Sequence, residues 1–267
     1  MVRLNTRRVD RTNNYTPILY DREIDEYAQA VLREYKPSLL REPGAVNTQH
    51  FLESYCRMRI FYYDIYNEDS ERPILAMTVF KRRNIKIFDK ENECVREVSV
   101  PARSVIIDNY VLGPDRESLK RFSCGHEGGH ITMQWHVYTG ETFDGDPYDP
   151  DYDWDGVEPY VCCSRENIES TGQSESKIRT AKEWREHHAD YFSGAFTMPN
   201  ATFKPFVTNL MREHGYYKGP ITLGRDNDWD LLADDILPFE ISEVYGVSKR
   251  AARIKLRTSG FVTGTMD

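Results

Sequence analysis

The sequence predicts an α+β protein: a small, mostly antiparallel sheet packed on helices, with a helical region at the C-terminus. Three observations carry this. Apolar residues recur at helical spacing from Asp21 to Tyr35. Short runs rich in Ile, Val, Phe and Tyr crowd together between about 57 and 112. Two long helical patterns follow, one leading out of Gly113-Pro114-Asp115 and one from about Thr180 to Phe196.

Each element has its own signal. Residues 1–16 read as a flexible arm. Ile24, Tyr27, Ala28, Val31, Leu32 and Tyr35 form one face of the first helix, which Pro37 and Pro43-Gly44 end. A short helix over Thr48–Tyr55 starts at an Asn47 or Thr48 cap. RIFYYDIY, ILAMTVF, NIKIF, VREVSV and SVIIDNYVL then read as strands, separated by polar turns such as 67–70 and 89–92. In the next helix Leu119, Phe122, His126, His130, Met133 and Val137 recur at threes and fours, so two histidines share the apolar face. The segment 141–177 is poor in apolar residues and reads as a long loop within an insertion at 139–177. The second long helix stops at Met198-Pro199. Helical segments at 201–214 and 229–258 complete the chain. The expected organisation is an arm (1–16), a core domain (17–215) and a C-terminal helical region with a polar tail (216–267).

Composition narrows the function. Apolar residues at 39% suffice for a core, and a net charge of −8 argues against a general nucleic-acid binder. The charge is uneven: Glu141–Glu169 holds ten acidic residues and one basic residue, Arg165. The start MVRLNTRRVDRTNNY is basic with no apolar run behind it, and no stretch is long enough to span a membrane. Five cysteines, two of them adjacent, make a poor disulfide framework, so the cytoplasm is expected.

The chemistry is concentrated in CGHEGGH, Cys124 to His130, which contains H-E-x-x-H. Four residues on an α-helix bring His126 and His130 to one face, where two imidazoles can meet one Zn2+. Glu127, beside them, can take a proton from water acidified by the metal. Gly128 and Gly129 each cost about 1 kcal/mol in a helix interior relative to alanine. A packed Gly129 explains one of them; Gly128 has no explanation from sequence. A third ligand is required. EHHAD offers Glu186, His187 and His188, with His188 the main rival to Glu186; His136 points elsewhere. Asp190, one turn after Glu186, can accept a hydrogen bond from the free ring nitrogen of a ligand histidine.

These pieces resemble the ImmA/IrrE metallopeptidases. That family shows a Phe shortly before H-E-x-G-H, here Phe122 before HEGGH, and a second motif E-x-x-A-[DN]-x-F-A-x-x-L-x-M-P. This chain reads EHHADYFSGAFTMP from Glu186 to Pro199, with Ser193 for Ala and Phe196 for Leu. The resemblance spans roughly 20–215. It implies a zincin-like core, His126, His130 and Glu186 as Zn2+ ligands, Glu127 as catalytic base and Asp190 behind a histidine. It further implies an endopeptidase that cuts a helix-turn-helix repressor in a mobile-element or stress regulon; from hydropathy and charge, no membrane partner and no direct nucleic-acid binding are expected. The contrasting reading is a regulatory protein that holds a repressor or DNA without cutting it. The ligand set also admits manganese or iron.

Weaker signals remain. Asp151-Tyr-Asp153-Trp-Asp155-Gly156 copies the start of an EF-hand loop, but position twelve is Cys162, not Glu, so a solvated acidic loop or a guide for a basic substrate is expected. Ile241–Val262 resembles a helix-turn-helix with Lys249, Arg250, Arg253, Lys255 and Arg257 on its second helix; a structural or docking role is expected. His214, Tyr216 or an arginine could stabilise an oxyanion. Substrate is expected along a sheet edge near Val105–Tyr110.

Overall fold

The computed structural model describes residues 1–6, 8–68, 73–154, 160–164, 180–225 and 227–264. The turn positions Asp69 and Ser70, the EF-hand-like positions Asp155 and Gly156, and acidic-segment residues 165–177 lie outside these. In chain order the elements are β1 (Val9–Asp10), β2 (Thr16–Pro17), α1 (Asp21–Tyr35), α2 (Thr48–His50, running on as a π turn to Tyr55), β3 (Arg59–Tyr63), β4 (Ile74–Val79), β5 (Arg83–Asp89), β6 (Cys94–Val100) and β7 (Ser104–Asp108). There follow α3 (Glu117–Thr139), β8 (Tyr160–Ser164), α4 (Ala181–Thr197), α5 (Asn200–Glu213), β9 (Ile221–Thr222), α6 (Leu237–Tyr245), α7 (Lys249–Thr258) and β10 (Val262–Thr263). The protein is α+β, as the sequence predicts.

The sheet differs from expectation in three ways. First, the strand-rich region makes two sheets. A mixed sheet runs β3-β7-β4-β8, with β3 and β7 parallel and the other pairs antiparallel, while β5 and β6 form a separate antiparallel hairpin. Second, the acidic segment is not all loop, because Tyr160–Ser164 pairs with β4. Its buried Val161 and Cys163 supply the apolar face that a strand needs. Third, β7 lies inside the sheet between β3 and β4, so Val105–Tyr110 offers no free edge. Among the described residues, β8 is the edge on the β4 side.

One face of the mixed sheet is covered by α3, with α4 packed on α3 and α1 on α4, in a core that includes Ile24, Val31, Leu75, Val105, Ile131, Phe192 and Phe196. The other face meets the hairpin: Ile85, Ile87 and Val100 pack on Met77, Val79 and Ile106. The alternation in β5, with Ile85 and Ile87 buried and Lys86 exposed, is what a one-sided strand requires. The N-terminal segment is anchored, not a free arm. Val2 and Leu4 pack on the core, and Tyr27 donates its hydroxyl hydrogen to the Val2 carbonyl at 3.1 Å.

A second apolar cluster draws on residues from Met198 to Val262 and includes Phe203, Leu237, Ile241, Tyr245 and Leu256. It thus begins before residue 216. Gly246 joins α6 to α7 with φ +64, the left-handed region where a side chain is strained, and Ser248 caps α7 by accepting from Ala251 N. Much of the basic helix is engaged within the chain. Lys249 pairs with Asp235 and Arg253 with Asp234, while the buried Lys255 reaches Asp25 of α1 at 3.1 Å. Among the described residues, no helix is long and apolar enough to cross a membrane.

Candidate metal centre

Helices α3 and α4 build the site by approaching closely, and two of the motif glycines, Gly125 and Gly129, permit it. A Cβ on Gly129 would stand 2.8 Å from the Ala189 Cα, and one on Gly125 would stand 2.5 Å from Ser193 Oγ. Gly128 now has its reason too: its Cβ would lie 2.8 Å from the Phe51 ring. Each glycine costs helix propensity, yet any side chain there would drive the elements apart. α4 is started by a capping box in which Thr180 accepts from Glu183 N and Glu183 accepts from Thr180 N. That fixes where Glu186 and Asp190 fall.

His126, His130 and Glu186 converge, with one potential donor atom from each within 4.8 Å of the others. The two histidine Nε2 atoms are 2.9 Å apart. Glu186 carries its oxygens 3.5 Å from His126 Nε2 and 3.7 Å from His130 Nε2. Tetrahedral coordination at ligand distances of about 2.0–2.1 Å separates donors by about 3.3 Å, so these three separations bracket a metal site.

The partners of the other ring nitrogens strengthen the case. His126 Nδ1 lies 2.8 Å from the Asp190 carboxylate, which can only accept when ionised. His130 Nδ1 lies 2.7 Å from Gln134 Oε1, and the Gln134 amide is oriented because its Nε2 donates to the Arg185 carbonyl at 2.9 Å. Both Nδ1 atoms therefore donate, and both Nε2 lone pairs face each other. Two acceptors at this distance need a proton or a cation between them. The titration of the group expresses the same demand. Burial works against a charge on His126, but the Asp190 and Glu186 carboxylates hold it protonated well above the ordinary imidazole range. Burial dominates at His130, lowering it to about 4. Burial alone would raise Glu186, yet His130 and His126 hold it down to about 2.

Glu127 is fully buried, and burial pushes it up to about 7 against the pull of His126. Thr78 of β4 donates its hydroxyl hydrogen to Glu127 Oε2 at 2.5 Å, while Oε1 has no hydrogen-bond partner. One oxygen is anchored and the other is left to act.

The remaining sequence candidates fall elsewhere. His188 is buried, and its Nε2 accepts the Leu19 N–H at 3.3 Å, so the rival third ligand is committed to holding the segment before α1. His187 faces Asp21, and His136 stacks on Tyr148. His214 pairs with Glu240, and Tyr216, in the second cluster, donates to the Pro220 carbonyl; neither is in the metal group. Cys124 is a buried thiol, pushed up to about 12 by burial. Of the EF-hand-like residues described, Tyr152 and Trp154 pack with Tyr15, and Cys162 lies in β8. Sequence reasoning missed Thr78, Gln134 and Tyr138. Gln134 could have been found, since it stands four residues after His130 on the ligand face. Tyr138, two turns beyond His130 and stacked on Phe80, brings its ring centre 6.2 Å from the His130 ring. Comparison of the chain with protein-family models, with curated proteins and with solved structures finds no match.

Proposed function

We propose that the protein is a metal-dependent endopeptidase with a zincin-like core, in which His126, His130 and Glu186 hold Zn2+ and Glu127 is the catalytic base. The observation that carries this reading is the pair of opposed imidazole lone pairs beside a carboxylate, with an unpartnered Glu127 oxygen buried next to them. A divalent cation held there supplies Lewis acidity at the reacting carbonyl and makes water acidic near neutral pH.

The chain's own residues account for the rest. Asp190 and Gln134 fix both imidazoles in the tautomer that presents Nε2. Thr78 holds Glu127 so that Oε1 is free to take a proton from the attacking water. As the new C–O bond forms and the C–N bond breaks, Glu127 returns that proton to the leaving amine. Substrate lies as an added strand on the outer edge of β8, which pairs with no strand among the described residues. The family resemblance of the two motifs extends the reading to a helix-turn-helix repressor as substrate and to the cytoplasm as site of action. A holding role without cleavage gives no account of Glu127, which a bound repressor would not require.

The test is cleavage of a co-expressed helix-turn-helix repressor encoded beside this chain. Glu127→Gln should keep metal and fold and lower cleavage by about a hundredfold or more; chelation should stop cleavage and added Zn2+ restore it. Cleavage that survives Glu127→Gln would refute the mechanism.

A further inference from the structure

The residues on either side of Glu186 along α4 are tied to the N-terminal part of the chain. Arg185 Nη1 donates to Thr16 Oγ1 at 3.1 Å, His187 Nε2 donates to Asp21 Oδ1 at 2.9 Å, and His188 Nε2 accepts the Leu19 N–H at 3.3 Å. All three partners belong to one stretch, Thr16 to Asp21, which runs from β2 into the start of α1. Further along α4, Tyr191 donates its hydroxyl hydrogen to Asp25 of α1 at 3.0 Å.

Helical spacing puts these contacts in order around α4. At about 100° per residue, Asp190 falls about 40° from Glu186, whereas His187, Tyr191, His188 and Arg185 fall about 100°, 140°, 200° and 260° away. The two carboxylates that meet the metal-group histidines share one side of the helix, and the tethered residues take the other. In chain order the segment meets Arg185 through Thr16, His188 through Leu19 and His187 through Asp21. It therefore crosses the back of α4 as a strap, from one flank to the opposite one.

A strap laid across a helix opposes its rotation, and a metal group tolerates rotation poorly. Side-chain tips lie about 5–6 Å from the helix axis, so a turn of about 20° moves a carboxylate about 2 Å. Metal–ligand distances hold to within about 0.2 Å. The strap is itself secured. Thr16 and Leu19 are buried, Thr16 and Pro17 pair with Asp10 and Val9 in the β1–β2 ladder, and the Tyr15 carbonyl accepts from His136 Nε2 of α3 at 3.1 Å.

We propose that Thr16–Asp21 is a positioning strap for the third metal ligand. By fixing the rotation of α4 it sets Glu186 against His126 and His130, so metal affinity depends on N-terminal residues that are not ligands. The proposal rests on the metal-site part of the reading above and not on peptide cleavage.

The test is uptake of Co2+ and Zn2+ by the full chain freed of metal, read as affinity and as the visible absorption of the Co2+ form. Thr16→Val removes the acceptor for Arg185, and His188→Leu removes the acceptor for the Leu19 N–H. Each should weaken affinity by about tenfold or more and shift the Co2+ spectrum toward that of Glu186→Ala. Thr16→Ser and His188→Gln, which keep an acceptor, should restore both. Leu256→Ala, a destabilising change outside the strap, should leave affinity and spectrum at wild-type values. Thr16→Val, which nearly keeps the shape of the side chain, serves if His188→Leu does not fold. Unchanged Co2+ affinity and spectrum in Thr16→Val, or an equal loss in Leu256→Ala, overturns the strap and leaves the metal centre standing. Metal loss in the strap variants, rescued by the conservative ones, with no cleavage by the wild type, upholds the strap and overturns the peptidase reading. Failure of the wild type to take up either metal overturns both.

Discussion

The helix pair α3–α4 and the helix pair α6–α7 solve the same packing problem with opposite materials. Between α6 and α7 lie Leu237, Ile241, Tyr245, Ala252 and Leu256, and the charges of α7 are mostly carried at the rim. Burial of apolar area both drives and positions that pair. Between α3 and α4 the buried groups include His126, His130, Ser193 and Asp190, which lose hydration and are satisfied by protein partners instead: His126 by Asp190, His130 by Gln134 and Ser193 by the Phe122 carbonyl. Their geometry is imposed from outside, by the glycines that bring the backbones together and by Ile131, Phe192 and Phe196 around them. The first pair is held together by its contents; the second is held together around them.

This contrast can be broken or sharpened by measurement. Glu186→Ala should have the largest effect, reducing bound metal from one equivalent to nearly none while the fold survives, because the apolar surround is untouched; a metal content unchanged by it would show that the site lies elsewhere. Leu256→Ala should do the reverse, costing about 2–5 kcal/mol in denaturant unfolding with metal stoichiometry intact. Asp190→Asn should weaken metal affinity by about 10–100-fold, read by competition with a chelating dye, since the ring it orients loses its anionic partner. Gly129→Ala should destabilise by about 1–3 kcal/mol despite its better helix propensity, because its Cβ meets the α4 backbone. Stabilisation by that change would show that the two backbones are not in contact. Arg253→Ala should have the smallest effect, less than about 1 kcal/mol, because its pair with Asp234 is partly exposed.

The sequence revealed the parts of the site that are periodic along one helix. His126, Glu127 and His130 follow from i,i+4 spacing, and Glu186 with Asp190 from the same rule on α4. The sequence left Glu186 and His188 both open, and only the packing of Leu19 against α4 separates them. Contacts made across elements were not legible. Thr78 is one polar residue in an otherwise apolar strand, and nothing local marks it as the partner of a glutamate 49 residues away. β8 was hidden by its setting, a five-residue strand YVCCS inside a segment whose charge reads as solvent-exposed loop. Missing it moves that edge by one strand, to β4, and the expected groove on β7 failed for another reason, because β3 and β4 flank β7 on both sides.

The late position of β8 in the chain has a consequence for the order of assembly. Its Tyr160 pairs with Val79, so the edge that faces the metal group closes only after a long stretch of intervening chain has been synthesised. Closing so large a loop costs about 2 kcal/mol more entropy than closing one of ten residues. This edge strand should then be among the last to dock and the first to open. In native-state hydrogen exchange, the amides of Tyr160–Ser164 should exchange well ahead of those in β7. A nascent chain can thus pair β3, β7 and β4 with one another before β8 is available to extend the sheet.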